Sequence, residues 1–147
     1  MNKAAVNKAA VNKAAVKTAA MKTATMRWCI TFAGVSGAMA VVMAAATGHG
    51  SQMGLDGESL SRIETAVRYQ IWHALALLAV SALGIRGGTR ALKLSAVCFA
   101  LGSLLFCGGL YLLAFSGTEI FVWLVPIGGL AFAAGWLFLA VHGWRLA

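Results

Sequence analysis

Four apolar runs, at about 28–48, 69–85, 94–115 and 120–141, leave this chain few ways to fold. Each is close to the roughly 20 residues that one membrane-spanning helix requires, and short polar stretches separate them. Composition closes the alternatives. Hydrophobic residues make up 61% of the 147 and charged residues 11%, against about 45–50% and 25% in a soluble domain. So little charge cannot cover a water-exposed surface, which excludes a soluble globular enzyme. The apolar content and the single proline exclude disorder and collagen. What remains is an all-α membrane protein: a four-transmembrane-helix bundle over 27–147, behind a basic tail of residues 1–26.

Charge orients the bundle. The net charge is +8, yet the twelve Lys and Arg sit at the edges of apolar runs, a membrane pattern rather than a nucleic-acid one. With the N-terminus inside, the inner side receives Lys3, Lys8, Lys13, Lys17, Lys22, Arg27, Arg86, Arg90, Lys93 and Arg145; the outer side receives Arg62 and Arg68. Trp28 and Trp144 would mark the inner membrane interface, and Tyr69, Trp72, Tyr111 and Trp123 the outer one. Both termini are expected in the cytosol. Cys29, Cys98 and Cys107 form no C-x-x-C and read as small buried residues.

Residues 2–26 repeat a pentad, from NKAAV to KTATM. At about 100° per residue a five-residue step rotates about 140°, so the lysines scatter around the axis and no apolar face forms. The tail is expected to be disordered or only partly helical. It reads either as an extension ahead of an alternative start at Met21 or Met26, or as a polycation on anionic lipid headgroups, where each Lys contributes about 1 kcal/mol.

Small residues mark where helices approach one another in lipid. Span one carries Ala33, Gly37, Ala40, Ala44 and Thr47 on one face. That face and the span's length favour a retained helix over a signal peptide cut near Ala44-Ala45-Ala46. Span three carries Ser95, Cys98, Gly102 and Gly109, and span four Gly128, Gly129, Ala131 and Gly135. Pro126 is expected to kink span four in its second turn. Between spans one and two, Gly50, Gly54 and Gly57 act as breakers. Ser59 or Ser61 is expected to cap a helix leading into span two, braced by Glu64 and Arg68 at i,i+4. Thr118 is the expected cap of span four.

Polar groups inside the spans are scarce, and each is a functional candidate. Tyr69 and His73 continue a polar stripe from the outer surface, with Gln70 beside it and His49 at the same level. His49, Glu64, Tyr69, Gln70 and His73 therefore form one candidate cluster. Its readings are hydrogen bonds that lock the bundle, a proton or solute path, or a zinc site; the spacing of His49 and His73 is not a metal signature. His142 reads as an interfacial residue. No nucleophile–base set, phosphate loop or H-E-x-x-H motif is present, so neither an enzyme nor a cofactor is expected.

Three stretches resemble a known family. Thr65-Ala66-Val67-Arg68-Tyr69-Gln70, leading through His73 to Leu78, is similar to the TAVRYQxxHALALL signature of the YgdD-like small bacterial membrane proteins, domain of unknown function 423. Phe106-Cys107-Gly108-Gly109-Leu110-Tyr111 resembles that family's F-S-G-S-L-Y. Pro126-Ile127-Gly128-Gly129 and Ala134-Gly135-Trp136 resemble its T-P-x-G-G and A-G-W, and His49 matches the histidine closing its G-A-F-G-A-H. Both serines of F-S-G-S-L-Y are replaced, by Cys107 and Gly109, and Val125 stands for the threonine before the proline. The resemblance covers about residues 28–147 and leaves out the tail. It implies a four-helix protein of the bacterial inner membrane and supplies no catalytic residues.

Two functions remain. The first is a structural, interaction or accessory membrane protein acting through helix packing, with itself or with other membrane proteins. The second is an oligomeric transporter or channel for a small solute or protons, using Tyr69, Gln70 and His73. Whether His73 meets a water-filled cavity discriminates between them.

Overall fold

The computed structural model of the protein describes residues 3–49 and 54–145. Gly50 and the side chains of Lys3, Lys8, Lys22 and Arg86 lie outside that description. Helix α1 is Lys3–Thr47, α2 Gly57–Arg86, α3 Arg90–Gly102, α4 Gly108–Ser116 and α5 Leu124–Trp144. A five-residue π-helical segment, Ser103–Cys107, joins α3 to α4, so the two make one span; a 3-10 turn, Glu119–Phe121, precedes α5. Four helical stretches are long and apolar enough to cross a membrane: Ala24–Thr47, Gly57–Ile85, Arg90–Ser116 and Glu119–Trp144.

Several boundaries differ from the sequence expectation, each for a local reason. The basic tail is not set off from span one: α1 runs through it from Lys3, in keeping with the helix preference of alanine and lysine. Asp56, not Ser59 or Ser61, caps α2, its carboxylate accepting the Ser59 backbone N–H at 2.7 Å. That makes Gly57 the first helical residue rather than a breaker. The ion pair on this helix falls early, between Glu58 and Arg62, and not between Glu64 and Arg68. Thr118 makes no side-chain cap; its hydroxyl donates back to the Ser116 carbonyl. Pro126 lies in the first turn of α5, because the helix starts at Leu124 after the 3-10 turn. The first four N–H groups of a helix have no internal acceptor, so the proline removes no hydrogen bond there and the reason for a kink disappears. Gly117 closes α4 in the left-handed region at φ +61°, with its N–H on the Leu113 carbonyl.

Spans two and three form the centre of the bundle. α1 packs on α2, α5 packs on α3 and the π segment, and α2 meets α3 and α4. Cys29, Ala33, Ser36 and Ala40 are the buried face of α1, while Ile30, Val35, Val41 and Val42 face outward. Two long-range hydrogen bonds tie one end of the bundle. The Ser81 hydroxyl reaches the Met26 carbonyl at 3.5 Å, and Thr89 Oγ1 meets His142 Nδ1 at 2.8 Å. By chain position that end also carries Arg27, Arg86, Arg90, Lys93 and Arg145. The opposite end carries His49, the acids and Arg62.

Candidate functional site

The centre of the bundle is built by aromatic rings seated on glycines. A Cβ on Gly102 would lie 2.4 Å from the Phe132 ring, one on Gly135 would lie 2.6 Å from the Phe99 ring, and one on Gly128 would lie 2.3 Å from the Phe106 backbone nitrogen. Only glycine admits such approaches. A Cβ on Gly109 would be tight against Leu124 and Val125, one on Gly129 would make ordinary contact with the Phe106 ring, and one on Gly37 would meet nothing within 4 Å.

His73 sits in the room these rings enclose. Its imidazole is buried and stacks on Phe132 with centroids 3.5 Å apart; Phe99, Trp136 and Tyr69 complete the walls. Nδ1 is 2.7 Å from the Tyr69 carbonyl, and Nε2 is 3.3 Å from the Trp136 indole Nε1. A carbonyl only accepts and an indole N–H only donates. The geometry therefore fits a neutral ring with its proton on Nδ1, and both nitrogens are engaged.

Gln70, one step round α2, is also buried. Its Oε1 accepts the Tyr111 hydroxyl at 2.6 Å, which joins α2 to α4. Both side chains line a cavity of about 150 Å³ between α1, α2 and the π-helical part of span three. Ser36 and Ser103 line it too, and neither hydroxyl has a hydrogen-bond partner. A second cavity, of about 320 Å³, opens at the basic end; Cys29, Val80, Ser81 and Leu92 line it, with Lys93 also among its walls.

The five-residue cluster expected from the sequence thus divides. Tyr69 and His73 stack together, Gln70 is buried separately against Tyr111, and His49 and Glu64 are exposed. Among the described residues no three His, Cys, Asp or Glu side chains gather in a metal-binding group. Four features were missed. Tyr111, expected at the outer interface, is buried, whereas Trp72, Trp123 and Trp144 are exposed. His142 is buried and bonded to Thr89, the cap of α3 whose Oγ1 also accepts the Leu92 N–H. Trp136 proves to be the partner of His73. The unpartnered pair Ser36 and Ser103 had no sequence signal beyond being hydroxyls in apolar runs.

A profile of the family described as "Protein of unknown function (DUF423)" matches residues 43–129. The chain belongs to this family. A Haemophilus influenzae protein named UPF0382 membrane protein is 40% identical, over 79% of this chain and 93% of its own length. The Escherichia coli K12 protein named UPF0382 inner membrane protein YgdD is 34% identical, over 82% of this chain and 92% of its own. A Staphylococcus saprophyticus UPF0382 membrane protein is 36% identical, over 76% and 96%. No solved structure matches the chain. The stretches through which it resembles the DUF423 family are also those that meet in space: Gln70 with Tyr111, His73 with Trp136, and Phe106 with Gly128.

Proposed function

We propose that this DUF423 membrane protein acts through helix packing, as a structural or accessory component of the bilayer, and neither transports a solute nor catalyses a reaction. The observation that carries this reading is the state of His73. An imidazole enclosed by Phe99, Phe132 and Trp136, with both nitrogens hydrogen-bonded, has no free position from which to relay a proton. Gln70, the other polar group of the stripe, gives its carbonyl to Tyr111. The alternative, a transporter or channel using Tyr69, Gln70 and His73, would route its path through His73, both of whose ring nitrogens are already engaged.

An outward-facing feature supports association. Gly34 and Ala38 are exposed at i,i+4 on α1, and a Cβ on Gly34 or Gly37 would meet nothing within 4 Å. Such small-x-x-x-small positions let a second helix approach closely in lipid. The orientation follows from charge: the end bearing Arg27, Arg90, Lys93 and Arg145 faces the cytosol, both termini with it, and the basic tail lies on anionic headgroups.

The test is flux. In proteoliposomes the wild-type chain is expected to move protons and small solutes no faster than lipid alone. A flux that His73→Ala or Gln70→Ala abolishes would overturn the reading. Gly34→Leu with Ala38→Leu is expected to reduce energy transfer between labelled copies, or co-purification of a membrane partner, without loss of insertion. Labelling that places the two termini on opposite faces would overturn the orientation.

A further inference from the structure

The cavity between α1, α2 and span three has the make-up of a ligand site. Ser36 and Ser103 are each 6% exposed and both hydroxyls are unpartnered, a state that is costly in a buried group and needs a reason. Ser95, also unpartnered, lines neither cavity described above. Ser103 opens the π-helical segment and Cys107 closes it, and both line the cavity; such segments inside helices occur frequently at functional sites.

Depth narrows the occupant. Ser103 is equidistant from the ends of its span, Arg90 and Ser116, and Ser36 lies close to the middle of its own; Gln70 follows the charged first turns of α2, two residues after the exposed Arg68. At about 1.5 Å per residue Ser36 is roughly 18 Å from either end of α1's span, near the centre of a hydrocarbon layer about 30 Å thick, and the cavity reaches from there toward Gln70 and Tyr111. Phospholipid headgroups do not reach the level of the two serines. Val35, Met39 and Leu104, at the rim, are exposed on the outside of the bundle, so the opening is lateral, into hydrocarbon.

Chemistry narrows it further. No Asp, Glu, Lys, Arg or His lines the cavity, so an ionised guest would lack a counter-charge. The polar groups can all donate: two free hydroxyls, and the Gln70 amide N–H groups that remain once Tyr111 has bonded the carbonyl, so a guest carbonyl, which only accepts, suits them. A cavity of about 150 Å³ holds one six-membered ring. We propose that it binds a neutral, bilayer-dissolved carbonyl compound of the quinone class. One ring carbonyl accepts from Ser36, Ser103 and Gln70, and the apolar tail leaves between Val35, Met39 and Leu104. This site goes beyond the packing role and does not rest on it, since binding is measured without flux.

The test uses the full chain in nanodiscs of zwitterionic lipid, a decyl-substituted benzoquinone as probe, and decylbenzene as the carbonyl-free control. Saturable binding of one quinone per chain is expected, without competition from decylbenzene. The double variant S36A/S103A removes two hydrogen bonds and should bind about tenfold more weakly, with its melting temperature held or raised. Ser36→Leu fills the cavity and should abolish binding; should that variant misfold, S36A/S103A decides alone. Non-saturable uptake, equal affinity in S36A/S103A, or full competition by decylbenzene would overturn the assignment and leave the hydroxyls to buried water.

Discussion

Gly128 and Gly129 are neighbours on α5 with opposite surroundings, and alanine at each should have opposite effects. A Cβ on Gly128 would sit 2.3 Å from the Phe106 backbone nitrogen and 2.8 Å from its Cα, whereas one on Gly129 comes no closer than 3.8 Å to the Phe106 ring. Glycine to alanine inside a helix gains up to about 1 kcal/mol of propensity. At Gly129 nothing opposes that gain, so G129A should be neutral or more stable by up to about 1 kcal/mol. At Gly128 the obstacle is backbone, which no rotamer change can clear, and α5 must separate from the π segment. Overpacking of this kind costs about 1–3 kcal/mol, and a backbone obstacle lies at the upper end. The net loss for G128A is then about 2 kcal/mol. Reversible unfolding of both variants in one detergent, followed by circular dichroism or tryptophan fluorescence, makes the comparison. Equal stabilities for G128A and G129A would refute the close approach of α5 to span three.

Tyr111→Phe leaves the Gln70 carbonyl unpaired in the interior and should cost about 1–3 kcal/mol. Adding Gln70→Leu should cost less than the sum of the two singles, as a double-mutant cycle in detergent unfolding would measure. Trp136→Phe keeps a ring beside Phe99 but strips the donor from His73 Nε2, and should destabilise by about 1–3 kcal/mol in the same assay. Hydrogen bonding from Ser59, its backbone N–H first, holds the Asp56 carboxyl below its ordinary value. The stability it gives α2 is therefore complete above the unfolded carboxylate range and lost as pH falls through the lowered folded value. Unfolding at neutral and acid pH should show this loss in the wild type and a reduced one in Asp56→Asn, which caps without titrating.

Sequence patterning marked the spans because hydrophobic length is a direct requirement of the bilayer. It marked inward faces poorly. In lipid both sides of a helix are apolar, so polarity no longer says which side is inside, and small residues are the remaining guide. Gly102, Gly128 and Gly135 are legible on that basis: rings lie against Gly102 and Gly135, and the Phe106 backbone against Gly128. Gly37 has the same signature yet faces open space. His73 and Gln70 stood out as polar groups in apolar surroundings, but their partners Trp136 and Tyr111 are 63 and 41 residues away in the chain, and no local period links them. The π segment was invisible because Ser103–Cys107 carries no residue that an ordinary helix would refuse. Asp56 was passed over because two serines further on offered the same capping chemistry.

The interlocking of rings and glycines also governs how the molecule can move. Gly102 of span three receives Phe132 of α5, while Gly135 of α5 receives Phe99 of span three and Gly128 sits against Phe106. Because each helix supplies both a protrusion and a socket, at successive heights, sliding either along its axis drives a ring or a backbone into a neighbouring wall. Span three and α5 cannot ratchet past one another by a turn, and they travel as a single strut.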